Sequence, residues 1–272
     1  MTDLSLDATQ LDRYSRHVVM ERVGPAGQAA LLDAAVLVVG AGGLGSPALQ
    51  YLAAAGVGRL GIADDDTVER SNLQRQIVHG DDDVGRPKAE SAAETVRELN
   101  PDVAVEPHET RIGPETVDLL DDYDVVVDAT DNFRSRYLLN DAARLRGLPV
   151  VHGAIYEFEG QATTLVPDGP CYRCLFPSAP NPGEVPNCAE TGVLGVLPGT
   201  IGSIQATEAL KLLIDEGEPL VGRLLFYDAA TLETETVPYE RDPDCPVCGD
   251  DGIESVAAVD YEGDCRIEAD PR

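Results

Sequence analysis

The 272-residue sequence predicts an α/β fold built on a doubly wound, mostly parallel β-sheet. Short apolar runs alternate with helical segments along the first half of the chain, which is the pattern of β-α-β units. The first run, residues 36–39, is β-branched and leads into a glycine-rich turn and a helix. Gly40, Asp64 and Asp128 each follow the end of such a run, so we expect them at one edge of the sheet.

The same periodicities assign each element in order. The expected strands cover residues 36–39, 59–63, 103–106, 123–128, 149–155, 161–166, 223–227 and 233–237. The expected helices cover residues 11–19, 46–55, 88–99, 115–120, 134–146 and 199–214. The last two strands form a hairpin around residues 228–232. Residues 178–198 are rich in Pro, Gly and Asn and too long for an ordinary connection, which indicates a functional or mobile segment.

The turn after the first strand carries the spacing G-x-G-x-x-G at Gly40, Gly42 and Gly45. Glycine is needed in such a turn because the backbone bends tightly and phosphates approach it closely. The following helix offers unpaired N–H groups and its positive dipole end to an anion. Asp64 lies where a carboxylate would hold a ribose hydroxyl. The motif indicates a nucleotide or dinucleotide site, although a glycine turn without a ligand can have the same spacing.

Three further motifs indicate the chemistry of this site. They are Ser71-Asn72-Leu73-Gln74-Arg75, Gly85-Arg86-Pro87-Lys88 and Asp128-Ala129-Thr130-Asp131-Asn132. A nicotinamide enzyme has little use for an arginine and a lysine that close over the phosphates. An enzyme that attacks the α-phosphate of ATP needs both, because negative charge builds up on the phosphoryl oxygens and on the leaving pyrophosphate. The motifs therefore favour ATP.

With these motifs the chain resembles the MoeB/ThiF family of ubiquitin-activating-type enzymes, from about Leu11 to Cys248. Its very acidic, lysine-poor composition is most similar to a haloarchaeal member of that family. The resemblance implies an adenylyltransferase that uses ATP and Mg²⁺ to activate the C-terminal glycine carboxylate of a small ubiquitin-like or sulfur-carrier protein ending in Gly-Gly. It further implies that the product serves protein conjugation, tRNA thiolation or molybdopterin synthesis.

The resemblance also implies roles for the matching residues. The residues expected to bind the nucleotide are Gly43, Asp64, Ser71, Asn72, Leu73, Gln74, Arg75, Lys88, Asp131 and Asn132. Arg75 and Lys88 are expected to be catalytic, and Asp131 is expected to hold Mg²⁺, which prefers hard oxygen ligands. Arg16, on the N-terminal helix, is expected to reach the nucleotide of the other subunit in a homodimer.

Four cysteines form two C-x-x-C pairs, Cys171 with Cys174 and Cys245 with Cys248. Four thiolates satisfy a closed tetrahedral zinc site, and a site without an open position is structural. A redox dithiol is the alternative for either pair taken alone, but it does not explain both. The sequence therefore predicts a second half of the fold that is stapled by Zn²⁺.

The remaining two cysteines are unpaired. Cys188 lies in the long 178–198 segment, where the resemblance places a cysteine that takes part in acyl or sulfur transfer. A small buried side chain is the alternative for a lone cysteine. Cys265 is expected to be incidental. Some family members continue into a rhodanese-like sulfurtransferase domain, whereas residues 249–272 alone follow the second pair here, so we expect a separate sulfur donor.

Composition narrows the partners and the compartment. The formal net charge is −29, and only two of the 20 basic residues are lysines, Lys88 and Lys211. Such a surface suits high salt and disfavours nucleic acid or an anionic membrane as a partner. The N-terminus has no apolar signal core and the sequence has no long apolar run, so we expect a cytoplasmic protein with reduced cysteines.

The expected organisation is an N-terminal helical segment at a dimer interface (1–34), an adenylation domain with the zinc site (35–248) and an acidic flexible tail (249–272). Two other classes of function remain open at this point. An NAD-dependent oxidoreductase would use the glycine motif and Asp64 but leave Arg75, Lys88, Asp131 and the cysteine pairs without a role. A catalytically silent scaffold, such as one half of a heterodimeric activating enzyme, would not need those residues.

Overall fold

The structure is a computed structural model that describes residues 6–178, 192–250 and 252–261. The strands are β1 (Ala35–Val39), β2 (Arg59–Ala63), β3 (Ala104–His108), β4 (Val125–Asp128), β5 (Val150–Tyr156), β6 (Glu159–Leu165), β7 (Arg223–Asp228) and β8 (Glu233–Pro238). The α-helices are α1 (Ala8–Arg13), α2 (Ser15–Val18), α3 (Gly24–Asp33), α4 (Gly45–Ala55), α5 (Lys88–Leu99), α6 (Phe133–Arg146), α7 (Tyr172–Leu175) and α8 (Leu197–Ile214).

The eight strands form one sheet in the order β3-β2-β1-β4-β5-β6-β7-β8. The strands from β3 to β5 are parallel, and the pairs from β5 to β8 are antiparallel. The chain builds outward from β1 to β3 and then returns to place β4 on the other side of β1. In an open α/β sheet, such a reversal leaves a crevice at the carboxyl ends of the two central strands. The predicted doubly wound, mostly parallel sheet is confirmed.

The core lies on both faces of this sheet. All five residues of β1 are buried, as expected for a central parallel strand. Val36 and Val38 belong to a cluster with apolar residues of α4, α5 and α8, whereas Leu37 belongs to a cluster with α6 on the other face. The β-branched run that predicted a buried strand is therefore covered by helices on both sides.

The N-terminal segment differs from the single helix expected over residues 11–19. The helix is interrupted at Tyr14, which separates α1 from α2. The Tyr14 ring is buried against Gly56, and its hydroxyl accepts a hydrogen bond of 2.8 Å from the Asn100 amide. Because a Cβ on Gly56 would lie 2.6 Å from this ring, the glycine that ends α4 also makes room for the N-terminal segment. Tyr14 thus anchors the segment to the far end of α4.

Two further segments differ from expectation. The helix predicted over residues 115–120 is a 3-10 helix at Val117–Asp122. The tail predicted to be flexible from residue 249 is packed over residues 252–261, because Val256, Val259 and Tyr261 are buried in the α6 face of the core. The three-segment organisation remains a prediction, but the packed part of the chain extends past Cys248. No helix in residues 6–178, 192–250 or 252–261 is long and apolar enough to cross a membrane.

Candidate nucleotide site and cysteine cluster

A cavity opens at the carboxyl ends of β1, β2 and β4, where the sequence predicted a ligand. The turn after β1 contributes Gly40, Gly42 and Gly43 to its wall. Asp64 follows β2, and Asp131 follows β4 by three residues. Lys88, at the start of α5, and Arg75 complete one side of the cavity. The structure therefore brings the glycine turn, two carboxylates and two cations to one place.

The three glycines of the motif are required for different reasons. Gly40 has a φ of +100°, and a Cβ there would lie 2.7 Å from the Ala129 carbonyl oxygen. A Cβ on Gly45 would lie 1.9 Å from the carbonyl oxygen of Gly40. These two glycines are fixed by packing, with or without a ligand. At Gly42 the nearest atom is the Gln76 amide at 3.6 Å, so a side chain there would occupy the cavity instead of clashing with the fold. Gly42 therefore favours a ligand close to the backbone.

Asp64 is held in place by two backbone N–H groups. Its Oδ2 accepts a hydrogen bond of 2.7 Å from Ala41, and its Oδ1 accepts one of 2.9 Å from Asp66. Burial raises the pKa of the Asp64 carboxyl, although Lys88 and these hydrogen bonds oppose the shift. The carboxyl group is oriented toward the glycine turn, which suits the predicted contact with a ribose hydroxyl.

Lys88 and Arg75 are two of the four cationic side chains that line the cavity, together with Arg111 and Arg136. The Lys88 side chain is almost buried, and its Nζ donates a hydrogen bond of 2.8 Å to the exposed carboxylate of Asp66. Arg75 donates a hydrogen bond of 3.3 Å to the Ser71 carbonyl oxygen, and its side chain passes close to Gly43. A buried ammonium beside an exposed carboxylate can exchange that partner for a phosphate.

The loop after β4 is held by buried hydrogen bonds on one side and is exposed to the cavity on the other. The Asp128 carboxylate accepts hydrogen bonds from the backbone N–H and the hydroxyl of Thr130, and from His152 Nδ1 at 2.8 Å. Burial raises the pKa of Asp128, but His152 and the other hydrogen bonds outweigh it and hold this pKa below its usual value. Asn132 accepts a hydrogen bond from the Ser135 N–H and caps α6. Asp131 is left exposed on the cavity wall, where its carboxylate could reach a cation.

The second half of the chain reaches this site through α8. Pro198, in its first turn, packs against Gly43, and Gly202 lets the helix backbone approach the Leu44 carbonyl oxygen. Gln205 is fully buried and donates a hydrogen bond of 2.7 Å to the Asp128 carbonyl oxygen at the end of β4. Helix α8 is therefore held against the turn after β1 and against the end of β4.

Four residues of the predicted set do not line the cavity: Ser71, Asn72, Leu73 and Gln74. Asn72 accepts a hydrogen bond of 3.0 Å from the Glu69 N–H, and Gln74 packs against Gly195. In this conformation they support the turn that carries Arg75 and do not face the cavity. Their predicted contact with the nucleotide stays a prediction.

Arg16 also lies away from the cavity of its own chain. It is an exposed residue of α2, which follows the Tyr14 anchor at the C-terminal end of α4. The cavity is at the N-terminal end of the same helix, and the 11 residues of α4 span about 16 Å at 1.5 Å per residue. The predicted contact of Arg16 with the nucleotide of a partner subunit stays a prediction.

The sequence analysis did not assign roles to Gln76 or Arg136, which also line the cavity. Gln76 Oε1 and Arg136 Nε are buried atoms that have no hydrogen-bond partner within the described residues. Buried polar atoms without partners are rare in native proteins and fit a ligand in the cavity. The sequence did contain one signal for Arg136: it lies in the first turns of α6, directly after the motif with Asp131, and could for that reason have been expected at the cavity.

The four paired cysteines form one cluster although 70 residues separate the pairs. The Sγ atoms of Cys171 and Cys245 are 3.5 Å apart, and those of Cys174 and Cys248 are 3.3 Å apart. Thiolates on one tetrahedral Zn²⁺ lie about 3.8 Å apart, as follows from a Zn–S distance of about 2.3 Å. Burial raises the pKa of the Cys248 thiol, which favours the protonated form, and a bound cation would favour the thiolate instead. The residues present fit a zinc ion.

A buried ion pair ties this cluster to the core. Arg173, between the first two cysteines, is 2% exposed and donates hydrogen bonds to both carboxylate oxygens of Asp141 on α6. Tyr261 donates a further hydrogen bond of 2.8 Å to Asp141 Oδ2. The packed C-terminal segment is therefore joined to the cysteine cluster through α6. Cys188 and Cys265, the two unpaired cysteines of the sequence, lie outside the described residues.

Comparisons with known proteins agree with this architecture. The ThiF family model matches residues 14–247. The chain is 69% identical over 268 residues to the SAMP-activating enzyme E1 of Haloferax volcanii, covering 98% of this chain and 99% of that protein. It is 53% identical over 265 residues to the sulfur carrier protein adenylyltransferase of Thermus thermophilus, covering 95% and 97%. The crystal structure of E. coli MccB with ATP shares the fold, with a TM-score of 0.79 at 21% identity over 89% of this chain and 75% of that one. The chain thus belongs to the ThiF family, as its motifs predicted.

Proposed function

We propose that this chain uses ATP to adenylate the C-terminal glycine carboxylate of a small ubiquitin-like or sulfur-carrier protein that ends in Gly-Gly. One observation carries the proposal: a single cavity combines a glycine turn, two cations and an exposed carboxylate at the switch point of the sheet. The names of two relatives that match nearly the whole chain, an activating enzyme and a sulfur carrier adenylyltransferase, support it. The activated protein would serve conjugation, tRNA thiolation or molybdopterin synthesis.

The proposed reaction needs no acid or base. The acceptor carboxylate is ionised at neutral pH and attacks the α-phosphorus with one of its oxygen electron pairs. The new P–O bond replaces the bond between the α-phosphorus and its bridging oxygen, and pyrophosphate leaves with that electron pair. The products are an acyl-adenylate and pyrophosphate. AMP is a far better leaving group than the oxide ion of a free carboxylate, so the acyl group is ready for transfer.

The residues of the cavity contribute mainly electrostatic stabilisation. Lys88 and Arg75 would face the phosphates, and their fixed charges lower the energy of the negative charge that develops during attack. The glycine turn and the N-terminus of α4 would accept the phosphates, and Asp64 would orient the ribose. Asp131 would hold Mg²⁺, which shields phosphate charge when bound.

Two further features belong to the proposal. The chain would act as a homodimer in which Arg16 of each subunit completes the cavity of the other, since α2 lies near the end of α4 that is opposite to its own cavity. Zn²⁺ would be held by Cys171, Cys174, Cys245 and Cys248 and would have a structural role, because four thiolates leave no open position.

Cys188 would carry the second chemical step, as a thioester with the acceptor or in sulfur transfer from a separate donor. The described segment that follows it supports this role. Residues 192–196 run along the site, where Val193 lines the cavity and Leu194 donates a backbone hydrogen bond to Glu157. The long segment that contains Cys188 thus ends beside the adenylation cavity.

ATP–pyrophosphate exchange in a high-salt buffer tests the proposed function. The enzyme is mixed with ATP, Mg²⁺, labelled pyrophosphate and small acidic proteins that end in Gly-Gly. We expect exchange that requires the acceptor and disappears when its two terminal glycines are removed. Exchange that no acceptor stimulates, together with hydride transfer to NAD, would favour the oxidoreductase alternative.

A further inference from the structure

The peptide groups on both sides of Ala41, in the centre of the glycine turn, are held by side chains. The Ala41 N–H donates a hydrogen bond of 2.7 Å to Asp64 Oδ2. On the other side, the Ala41 carbonyl oxygen lies 2.9 Å from His79 Nε2. His79 is buried below the turn and does not line the cavity. The turn is therefore fixed by a residue that a ligand would not touch.

The hydrogen bonds of His79 define its tautomer. A carbonyl oxygen can only accept, so the imidazole proton is on Nε2 and is donated to Ala41. Burial lowers the pKa of His79, which favours the neutral ring. Its Nδ1 then accepts a hydrogen bond of 2.8 Å from the Ser91 hydroxyl. Ser91 thus holds the ring in the orientation that points Nε2 at the turn.

The hydrogen bond to Ala41 determines where the next N–H group points. All peptide bonds of the described residues are trans, and in a trans peptide the C=O and N–H groups point in opposite directions. Because the Ala41 carbonyl is drawn down to His79, the Gly42 N–H of the same peptide points up toward the cavity that Gly42 lines. Within the described residues, this N–H has no hydrogen-bond partner. It is available to a phosphate oxygen.

Helix α5 carries Lys88 and also holds His79 in place through Ser91. Lys88 and Ser91 lie on adjacent turns of one face of α5. Lys88 contacts Asp66, and Ser91 contacts His79. A shift of α5 would therefore move the cation and the support of the glycine turn together.

We propose that His79 is a positioning residue for ATP, which keeps the Gly42 N–H directed at the phosphates by holding the Ala41 carbonyl on the far side of the turn. Without this hydrogen bond, the peptide can rotate and present its carbonyl oxygen to the phosphates, where it would repel them. This inference deepens the proposed function and rests on it, since it assumes that the cavity takes ATP.

Calorimetric titration of ATP with Mg²⁺ into the full chain tests this role. His79→Leu removes the hydrogen-bond donor. His79→Asn keeps a polar side chain, but its amide is too short to reach the position of Nε2 and cannot donate to the Ala41 carbonyl oxygen. His79→Gln places an amide N–H near the position of Nε2 and should rescue. Thr95→Val is the matched control, because it removes the hydrogen bond of 2.8 Å from the Thr95 hydroxyl to the Val78 carbonyl oxygen, next to His79, and leaves both hydrogen bonds of the His79 ring in place.

We expect His79→Leu and His79→Asn to weaken ATP binding about tenfold, the effect of one hydrogen bond to a charged group. His79→Gln and Thr95→Val should stay within about threefold of the wild type. If His79→Leu does not fold, the difference in ATP affinity between His79→Asn and His79→Gln tests the role of His79. The role of His79 is refuted if folded His79→Asn binds ATP as the wild type does, or if Thr95→Val loses as much affinity. A wild type that neither binds ATP nor exchanges pyrophosphate would instead contradict the proposed function itself.

Discussion

The nucleotide cavity and the cysteine cluster are built in opposite ways. The cavity collects residues that follow successive strands of one parallel sheet, so chain topology alone brings Gly40, Asp64 and Asp131 together. The cluster joins two pairs from distant parts of the chain and has no shared strand end to align them. We expect the first to form without its ligand, and the second to need a metal that holds its four cysteines, three of them buried, as thiolates. We therefore expect loss of a bound metal to affect folding and loss of a cavity charge to affect chemistry.

The largest expected effect is on the stability of the cluster. Cys171→Ser or Cys245→Ser should release zinc and lower the free energy of unfolding by several kcal/mol, because metal binding is coupled to folding. Cys265→Ser is the matched control and should keep both metal and stability. Metal analysis and chemical unfolding measure the two effects. Zinc-free wild-type protein of undiminished stability would show that the cluster is not a metal site.

The next largest effect concerns a charge of the cavity. Lys88→Met should reduce acceptor-dependent pyrophosphate exchange by about 100-fold or more, since a fixed charge at the reacting phosphate is lost. Stability should change little, because the Asp66 carboxylate that it leaves is exposed to water. Lys211→Met removes the only other lysine, at the far end of α8, and should leave exchange near the wild-type level. Equal losses in both variants would mean that a general change of charge is responsible.

Mixed dimers test whether Arg16 completes the cavity of its own subunit or that of the partner subunit. Arg16→Ala and Lys88→Met should each be nearly inactive alone. After subunit exchange between them, activity should recover to about a quarter of the wild-type value, because one site in a mixed C2 dimer has both residues. Recovery shows that Arg16 acts across the interface. No recovery, despite mixed dimers seen by native mass spectrometry, would place Arg16 in its own subunit's site or outside any site.

The smallest expected effect is a pH dependence that originates beneath the glycine turn. Because the folded pKa of His79 is lowered, the unfolded chain binds a proton that the folded chain does not, below the ordinary histidine pKa of about 6.5. The contribution of His79 to the free energy of unfolding is therefore fully present above this pKa. It falls with decreasing pH by at most about 1.4 kcal/mol per pH unit. His79→Gln should lack this part of the slope. Parallel slopes of wild type and variant, from urea unfolding between pH 7.5 and 5.5, would contradict the assignment.

The sequence predicted most of the fold because its signals are local. The run 36–39, the glycine spacing and the motifs around Lys88 and Asp131 each identify an element or a strand end, and parallel topology then places them together. The interruption at Tyr14 was not predictable in this way, because its cause is a contact with Asn100 and Gly56 far along the chain.

The parts of the site that the sequence did not reveal also depend on distant contacts. Arg136 and Gln76 look like ordinary polar residues until the fold buries their unpaired atoms in the cavity. His79 reads as a histidine beside a turn, and its contact with Ala41 spans 38 residues. The packed segment around Tyr261 was expected to be flexible, because a composition rich in acidic residues does not show a single buried tyrosine that reaches Asp141.

The central claim is that the cavity alone activates the acceptor, and that the segment with Cys188 acts only afterwards. Intact mass of the acceptor after incubation with enzyme, ATP and Mg²⁺ tests it most directly. We predict adenylylated acceptor with the wild type and with Cys188→Ala, and none with Lys88→Met. An acceptor adduct that an added thiol releases by acyl exchange should form on the wild-type enzyme alone, since a thioester needs a thiolate. Adenylylated acceptor formed equally well by Lys88→Met, or lost in folded Cys188→Ala, would contradict the account.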